Sequence, residues 1–481
     1  MNTLTGPMWD MFVLIAGIPH CSGNEMQLGN VLCDFARIHG LQAEKDAAGN
    51  VRIVRPAVNG MEHAPRLILQ GHLDMVPQSN DPDFNFTSTP ISPIRNGAFL
   101  ETGGKTTLGA DNGIGVAAAM VMLLDRTVQC GELSAVFTVE EETGLKGARN
   151  LAGDWLDADY LLNLDSEDEG ELFVGCAGGA RVNTRFSLRL VPAEGVGVTI
   201  RLSGLPGGHS GCDIHKKRGN ANSLMAELLL ELPCHVASLD GGTLDNAIPR
   251  ECVCVGTVPE ENWKDVQNIL QEKQMAFAAR LGDAGKNLKI ELEKTETPTM
   301  VWDSAQQHTI LTALAHCPNG PFAYNNDFPV VETSSNLAIV KTEEGVLSVH
   351  SSQRSLVDDE REAASQKVMA HFGSAGGISE VSSAYPGWSP VKESPLLATA
   401  NRVYEKLFGV LPANTVIHAG LECGIFAGIN PELQMISFGP DILDPHSPAE
   451  RLSIDGAERF LQFLRALIEE LCRKKQDVAV G

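Results

Sequence analysis

At 481 residues with 43% hydrophobic content, the chain exceeds the size at which one hydrophobic core stops growing, so two domains are expected. Its 61 acidic and 37 basic residues give a formal net charge of -24, which argues against nucleic acid or an anionic membrane as partner and speaks mainly for solubility. The 11 cysteines form neither a CxxC pair nor a small-domain disulfide framework, which fits a reducing, cytoplasmic compartment.

The first apolar patch, MFVLIAGI at 11–18, has no Lys or Arg before it. It is expected to be a core-facing helix turn and not a secretory signal. From there to residue 186, strand-like runs alternate with helical patterns: RLILQ at 66–70, VAAAMVMLLD at 116–125, SAVFTV at 134–139 and YLLNL at 160–164. That alternation predicts an α/β layer with a mostly parallel sheet. Over 187–392 the texture changes to alternating segments such as VTIRLSG, ECVCVGTV and GVLSVHSSQRS, with one long helical stretch at 266–281. A separate α+β domain is predicted there. After the proline-rich AYPGWSPVKESP, the first texture returns over 393–481 with a helix at 396–409, a strand ELQMISFG at 432–439 and a closing helix. The middle domain is therefore read as an insertion into the α/β domain. No stretch is apolar enough to span a bilayer.

The acids and imidazoles that stand out each follow an apolar run. RLILQ leads into His72 and Asp74, SAVFTV into Glu140, Glu141 and Glu142, YLLNL into Asp165, and LQMISFG, after a short loop, into His446. Asp111 lies in the glycine-flanked turn LGADNGIG, just before an alanine-rich helix. In open α/β sheets, ligands bind outside the carboxyl ends of the strands, so these groups can converge on one rim. Mixed nitrogen and oxygen donors suit zinc, manganese or cobalt, and the number of donors exceeds what one tetrahedral ion needs. Two metals sharing a carboxylate fit the count.

The motifs GHLDMVP, LGADNGIG, EEETGLKGA, NLDSEDEGE, GGHSGCDIHKKRGNAN, GGTLDNAIPRE, HAGLECGIF and PHSPAER resemble, in order, the aminoacyl-histidine dipeptidase branch of the zinc aminoacylase/carboxypeptidase family. The resemblance runs from IPHCSGNE near the start to the last helix. It implies a zinc-peptidase catalytic domain split around an inserted lid, two divalent ions (zinc, with cobalt or manganese as alternatives), a small peptide substrate and a homodimer. It further implies that His72, Asp111 and Asp165 hold one metal, and that Asp111, Glu142 and His446 hold the other. Glu141 would be the general base, and Asp74 would orient the His72 ring, since a metal-bound imidazole needs an acceptor for its second N–H. In the lid, the resemblance makes His209 a stabiliser of the tetrahedral oxyanion, Asn246 and Arg354 substrate-binding residues, and Gly420 a point of close backbone approach. Arginine suits a substrate carboxylate because its planar fork donates two parallel hydrogen bonds.

Rival motifs fail. GGKTT at 103–107 resembles the end of a phosphate-binding loop, but Phe99 stands where the required glycine should be. GHSGC has Cys212 in place of the last glycine of GxSxG. A metal-free binding protein on the same fold would be expected to have lost a ligand or the base, yet every matched position is filled. The runner-up activities are those of a related aminoacylase or tripeptidase. The basic patch His215, Lys216, Lys217 and Arg218 reads as a solvated loop. His418 and Glu422 read equally well as pocket lining or loop packing.

Overall fold

The computed structural model describes residues 4–478, with side chains through Arg473. The chain divides into two compact units. The first comprises the residues before Cys176, Pro390–Val416 and those from Glu422 on, and the second Cys176–Ser389 with Ile417–Leu421.

The first unit is built on strands whose apolar runs are covered on both faces. Leu67–His72 and Leu133–Thr138 are buried at every position, as the central strands of an α/β sheet must be. They pair in parallel, with Leu67 opposite Leu133 and His72 opposite Thr138. Tyr160–Asn163 and then Gln434–Ser437 extend the parallel set. The full sheet has eight strands, and its flanks are antiparallel: Val51–Arg55 runs against Leu133–Thr138, Gln42–Lys45 against Val51–Arg55, and Gln434–Ser437 against Glu171–Cys176. The centre is thus the parallel part, and four strands end on the same edge. The helix Ala110–Leu124 packs on Leu67–His72, and Pro7–Ala16 packs on that helix through buried Met8, Phe12 and Ile15. The apolar patch near the start therefore faces the core with Met11, Phe12, Ile15 and Ile18, while Val13 and Leu14 are exposed. No helix of the described residues is long and apolar enough to cross a membrane.

The second unit is organised around a nine-stranded sheet in which every recorded pair is antiparallel. Its core contains Phe186, Phe277, Trp302 and Phe372 beneath the helices Ala221–Glu231, Trp263–Leu281, Ser304–Ala315 and Asp358–Ser374. Asn220 starts the first of these by accepting the N–H groups of Asn222 and Ser223 on its side chain, a cap worth about 1 kcal/mol.

The division falls at Cys176, ahead of the boundary at 187 expected from texture. The strand Gly178–Ser187 pairs with Val346–Ser355 and Ile378–Tyr385 in the second sheet. Its pattern of buried Val182, Thr184 and Phe186 between exposed Arg181, Arg185 and Ser187 is that of a strand buried on one face. The return of Ile417–Leu421 to the second unit has no signature in composition.

Candidate metal centre

The shared strand edge presents the acids and imidazoles. His72 is the last residue of its strand and is 2% exposed. Gly71 before it is needed for space: a Cβ there would lie 2.1 Å from Asn112 Oδ1. Next to the strand Leu133–Thr138, Glu140 takes a left-handed φ of 48°. That break in the extended chain brings the adjacent Glu141 and Glu142 together beside His72. The Asp74 carboxylate holds the break, accepting the N–H of Glu141 at 2.9 Å, the N–H of Glu142 at 3.2 Å and the Ser22 hydroxyl at 2.7 Å. Toward His72, by contrast, it is the Asp74 main-chain carbonyl that lies nearest Nδ1, at 2.9 Å, with the carboxylate at 3.5 Å. Asp74 therefore faces the ring with both its carbonyl and its carboxylate, and the carboxylate also holds the Glu141–Glu142 turn.

Asp111 sits at the mouth of its helix with non-helical backbone. The turn that presents it is gathered by Glu450, a carboxylate 2% exposed. Glu450 accepts the N–H groups of Leu108 at 2.7 Å, Gly109 at 3.2 Å, Ala110 at 2.8 Å and Asp111 at 3.4 Å. Burial and the nearby Asp111 charge push Glu450 up to about 7 against the Leu108, Gly109 and Ala110 donors.

The two oxygens of Asp111 face opposite ways. Oδ1 is 3.0 Å from His72 Nε2, and Oδ2 is 3.0 Å from His446 Nε2. Asp165 Oδ1 completes the first group at 3.2 Å from His72 Nε2, and Glu142 Oε1 the second at 2.8 Å from His446 Nε2. His72, Glu141 and Glu142 also lie close enough to share an ion, as do Asp111, Glu167 and His446. Glu142 Oε1 and Asp165 Oδ1 are buried and accept no hydrogen bond, despite the nearby imidazole nitrogens. Lone pairs aimed into a common space with no proton to meet them fit divalent cations, and the mixed O and N set fits zinc, cobalt or manganese.

Electrostatics agree with that fit. Burial pushes Glu141 well above the usual carboxylate range and raises Glu142, while Asp165 rises to about 6. Burial would raise Asp111 too, but His446 and His72 hold it well below. Burial opposes charge on His446, yet Asp111 and Glu142 carry it up to about 11, and Asp165 with Asp111 raises His72 likewise. So much buried negative charge requires cations among it.

Two residues here escaped sequence reasoning. Glu167, two positions past Asp165, is raised to about 9 by burial and by Asp111; its place in the acidic run NLDSEDEG was the available signal. Glu450 had none beyond standing in PHSPAER. Glu422 is fully buried behind the rim, accepting from Gln70 Nε2 at 2.5 Å and Thr138 Oγ1 at 2.7 Å. Burial raises it to about 8, and its place is in the packing of strand ends.

In the second unit, the remaining candidates are knit together. His209 ends the two-residue strand Gly208–His209, opposite Ala247, and its N–H donates to Asp213 at 2.9 Å. Ser210 N–H donates to the Asn246 carbonyl at 2.8 Å, and Arg354 Nε lies 3.4 Å from Ser210 Oγ. Arg354 Nη1 donates to the Tyr385 hydroxyl at 3.0 Å, and a Cβ on Gly420 would sit 2.9 Å from that tyrosine ring. Tyr385 is thus a further member. His418 is buried, its Nε2 2.7 Å from Ser334 Oγ. In the expected basic patch, Lys216 and Arg218 both pair with Asp213, and Arg218 also donates to the Gly207 carbonyl. The patch braces the His209 turn.

Residues 68–470 match the model of peptidase family M20/M25/M40. The chain belongs to that family. The match spans the rim from the strand ending in His72 to His446, and the protein is a metallopeptidase. It is 38% identical over 477 residues to the cytosol non-specific dipeptidase of Escherichia coli K12, covering 97% of this chain and 98% of that one. It is similar to the crystal structure of aminoacylhistidine dipeptidase from Vibrio alginolyticus, with a TM-score of 0.84, 38% identity and 97% of each chain covered. The crystal structure of human carnosine dipeptidase 1 shares the fold, with a TM-score of 0.53 and 12% identity over 97% of each chain.

Proposed function

We propose that this M20/M25/M40 peptidase is a cytoplasmic, homodimeric dipeptidase that hydrolyses the peptide bond of Xaa-His and other dipeptides, β-alanyl-histidine among them, with two zinc ions. The observation that carries the metal pair is the Asp111 carboxylate, one oxygen toward His72 and the other toward His446. The substrate class rests on identity across nearly the whole length of a dipeptidase. The absence of any disulfide among the 11 cysteines supports a reducing compartment. The dimer rests on the family resemblance.

His72, Asp111 and Asp165 would hold one ion, and Asp111, Glu142 and His446 the other. Bound there, the ions would supply Lewis-acid activation of water and of the scissile carbonyl. Glu141, raised by burial, is the base that takes the proton of the attacking water and delivers it to the leaving amine. Asp74 fixes the turn that carries Glu141 and Glu142 by holding their N–H groups, and it orients the His72 ring. His209 donates to the developing oxyanion, Asn246 binds the peptide, and Arg354, already set beside Tyr385, pairs with the terminal carboxylate of a short peptide. Gly420 leaves room for backbone beside that pair.

Metal-replete protein incubated with β-alanyl-histidine, α-dipeptides, tripeptides and acetylated amino acids tests the reading. Cleavage of the dipeptides is expected. Turnover of acetylated amino acids or tripeptides alone would overturn it in favour of an aminoacylase or tripeptidase.

A further inference from the structure

Away from the metal centre, in the first unit, Arg55 ends its strand with a guanidinium that is 4% exposed. It donates to the carbonyls of Met122 at 3.1 Å, Asp125 at 2.8 Å and Val128 at 3.3 Å, and to the sulfur of Cys130. A cation removed from water needs an opposite charge beside it. Of these acceptors, three are neutral carbonyls, and the thiol is the one that can ionise. Cys472, on the final helix, hydrogen-bonds to the same sulfur and takes the Gly131 N–H on its own. Glu469, one turn earlier on that helix, is the nearby acid, and it is engaged with Arg465 at 3.4 Å.

We propose that Cys130 and Cys472 are a peroxide-reactive thiol pair that closes to a disulfide. Cys130 is the attacking sulfur: the Cys472 thiol and the Arg55 guanidinium bring it down to about 7 against burial, whereas the hydrogen bond to Cys130 and burial push Cys472 up. The thiolate attacks one oxygen of hydrogen peroxide, the O–O bond breaks, hydroxide leaves and Cys130 becomes a sulfenic acid. Cys472 sulfur then attacks Cys130 sulfur, the S–O bond breaks, and the hydroxyl leaves with the Cys472 proton as water. The two thiols lose two electrons in all, and peroxide gains them. Both sulfurs are buried, but exposed Gln129 precedes Cys130 and exposed Arg473 follows Cys472, so a small neutral oxidant has little protein to pass. Elsewhere burial pushes Cys33, Cys252 and Cys317 upward, the state of an inert thiol.

The test is peroxide treatment of the reduced, full-length protein, alkylation, digestion without reductant and mass spectrometry. A peptide pair joining residues 130 and 472, lost on adding dithiothreitol, is expected. Cys472→Ser is expected to leave a dimedone-trappable sulfenic acid on Cys130, and Arg55→Gln to slow loss of the Cys130 thiol by about tenfold or more. A cysteine-containing peptide treated in parallel reports that the oxidant was active. Oxidised control peptide beside fully alkylated Cys130, or cross-linking at an undiminished rate in folded Arg55→Gln, would overturn the proposal.

Discussion

The metal rim of the first unit and the polar cluster of the second are built by different means. On the rim, His72 closes a fully buried parallel strand and Glu141, Glu142 and Asp165 follow neighbouring ones, so sheet register itself fixes the spacing of the donors. In the second unit, His209, Arg354 and Asn246 come from a short bridge, a long strand and a turn, joined through Ser210 and Tyr385. One set is placed by backbone and carries buried charge; the other is placed by side-chain packing around neutral hydroxyls. Substitutions on the rim should therefore abolish chemistry without loosening the fold, while those in the cluster should act on substrate affinity or on stability.

The largest effect is expected from Glu141→Gln. Its turnover should fall by about 10²–10⁴-fold or more, with metal content and melting temperature unchanged. Near-normal hydrolysis would remove Glu141 as the base.

Next is Glu450→Gln, which replaces one acceptor oxygen by an amide facing the N–H groups of the Asp111 turn. Metal affinity, read by competition with a chelator, should weaken by about 10–100-fold, as for other supports of metal ligands. Unchanged affinity would mean that the turn holds its shape alone.

Arg354→Ala should raise KM for dipeptides with little change in kcat, by roughly 10–100-fold given the usual worth of a hydrogen bond to a charged group. A dipeptide amide, lacking the carboxylate, should be insensitive to the change. Equal sensitivity of acid and amide would break the contrast between the two regions.

The smallest effect is on pH. Burial first, then the charges of Arg354 and His209, hold His418 at about 3 against an ordinary 6.5. Between those values the unfolded chain binds the proton that the folded chain refuses, so this contribution is whole above pH 6.5 and is lost as pH falls toward 3. At pH 5 the loss is roughly 2 kcal/mol. Urea midpoints at pH 7 and pH 5 should differ less in His418→Gln than in the parent protein. An equal difference would assign the acid sensitivity elsewhere.

Much of the rim was legible because His72, Glu141, Glu142 and Asp165 come at or just after the ends of apolar runs, and a strand that ends in an acid or imidazole advertises its carboxyl end. What stayed hidden depends on contacts that sequence order does not carry. Glu450 meets the turn at 108–111 from the far end of the chain, and the Asp74 carboxylate, besides facing His72, takes the N–H groups of Glu141 and Glu142, a task its HxD spacing does not show. The boundary at Cys176 was masked because Gly178–Ser187 follows directly on the buried strand Glu171–Cys176, with no linker composition between them, while pairing in the second sheet. Tyr385 stands in a proline-rich stretch that reads as a linker, and its hydroxyl became informative once Arg354 was seen beside it.

The central claim is that one carboxylate, Asp111, joins two ions between His72 and His446. Anomalous diffraction at the zinc edge from crystals of the zinc-loaded protein tests it most directly. Two peaks about 3.5–4 Å apart, one on each side of Asp111, are the expected result; a single peak, or ions bound away from this carboxylate, would contradict the account.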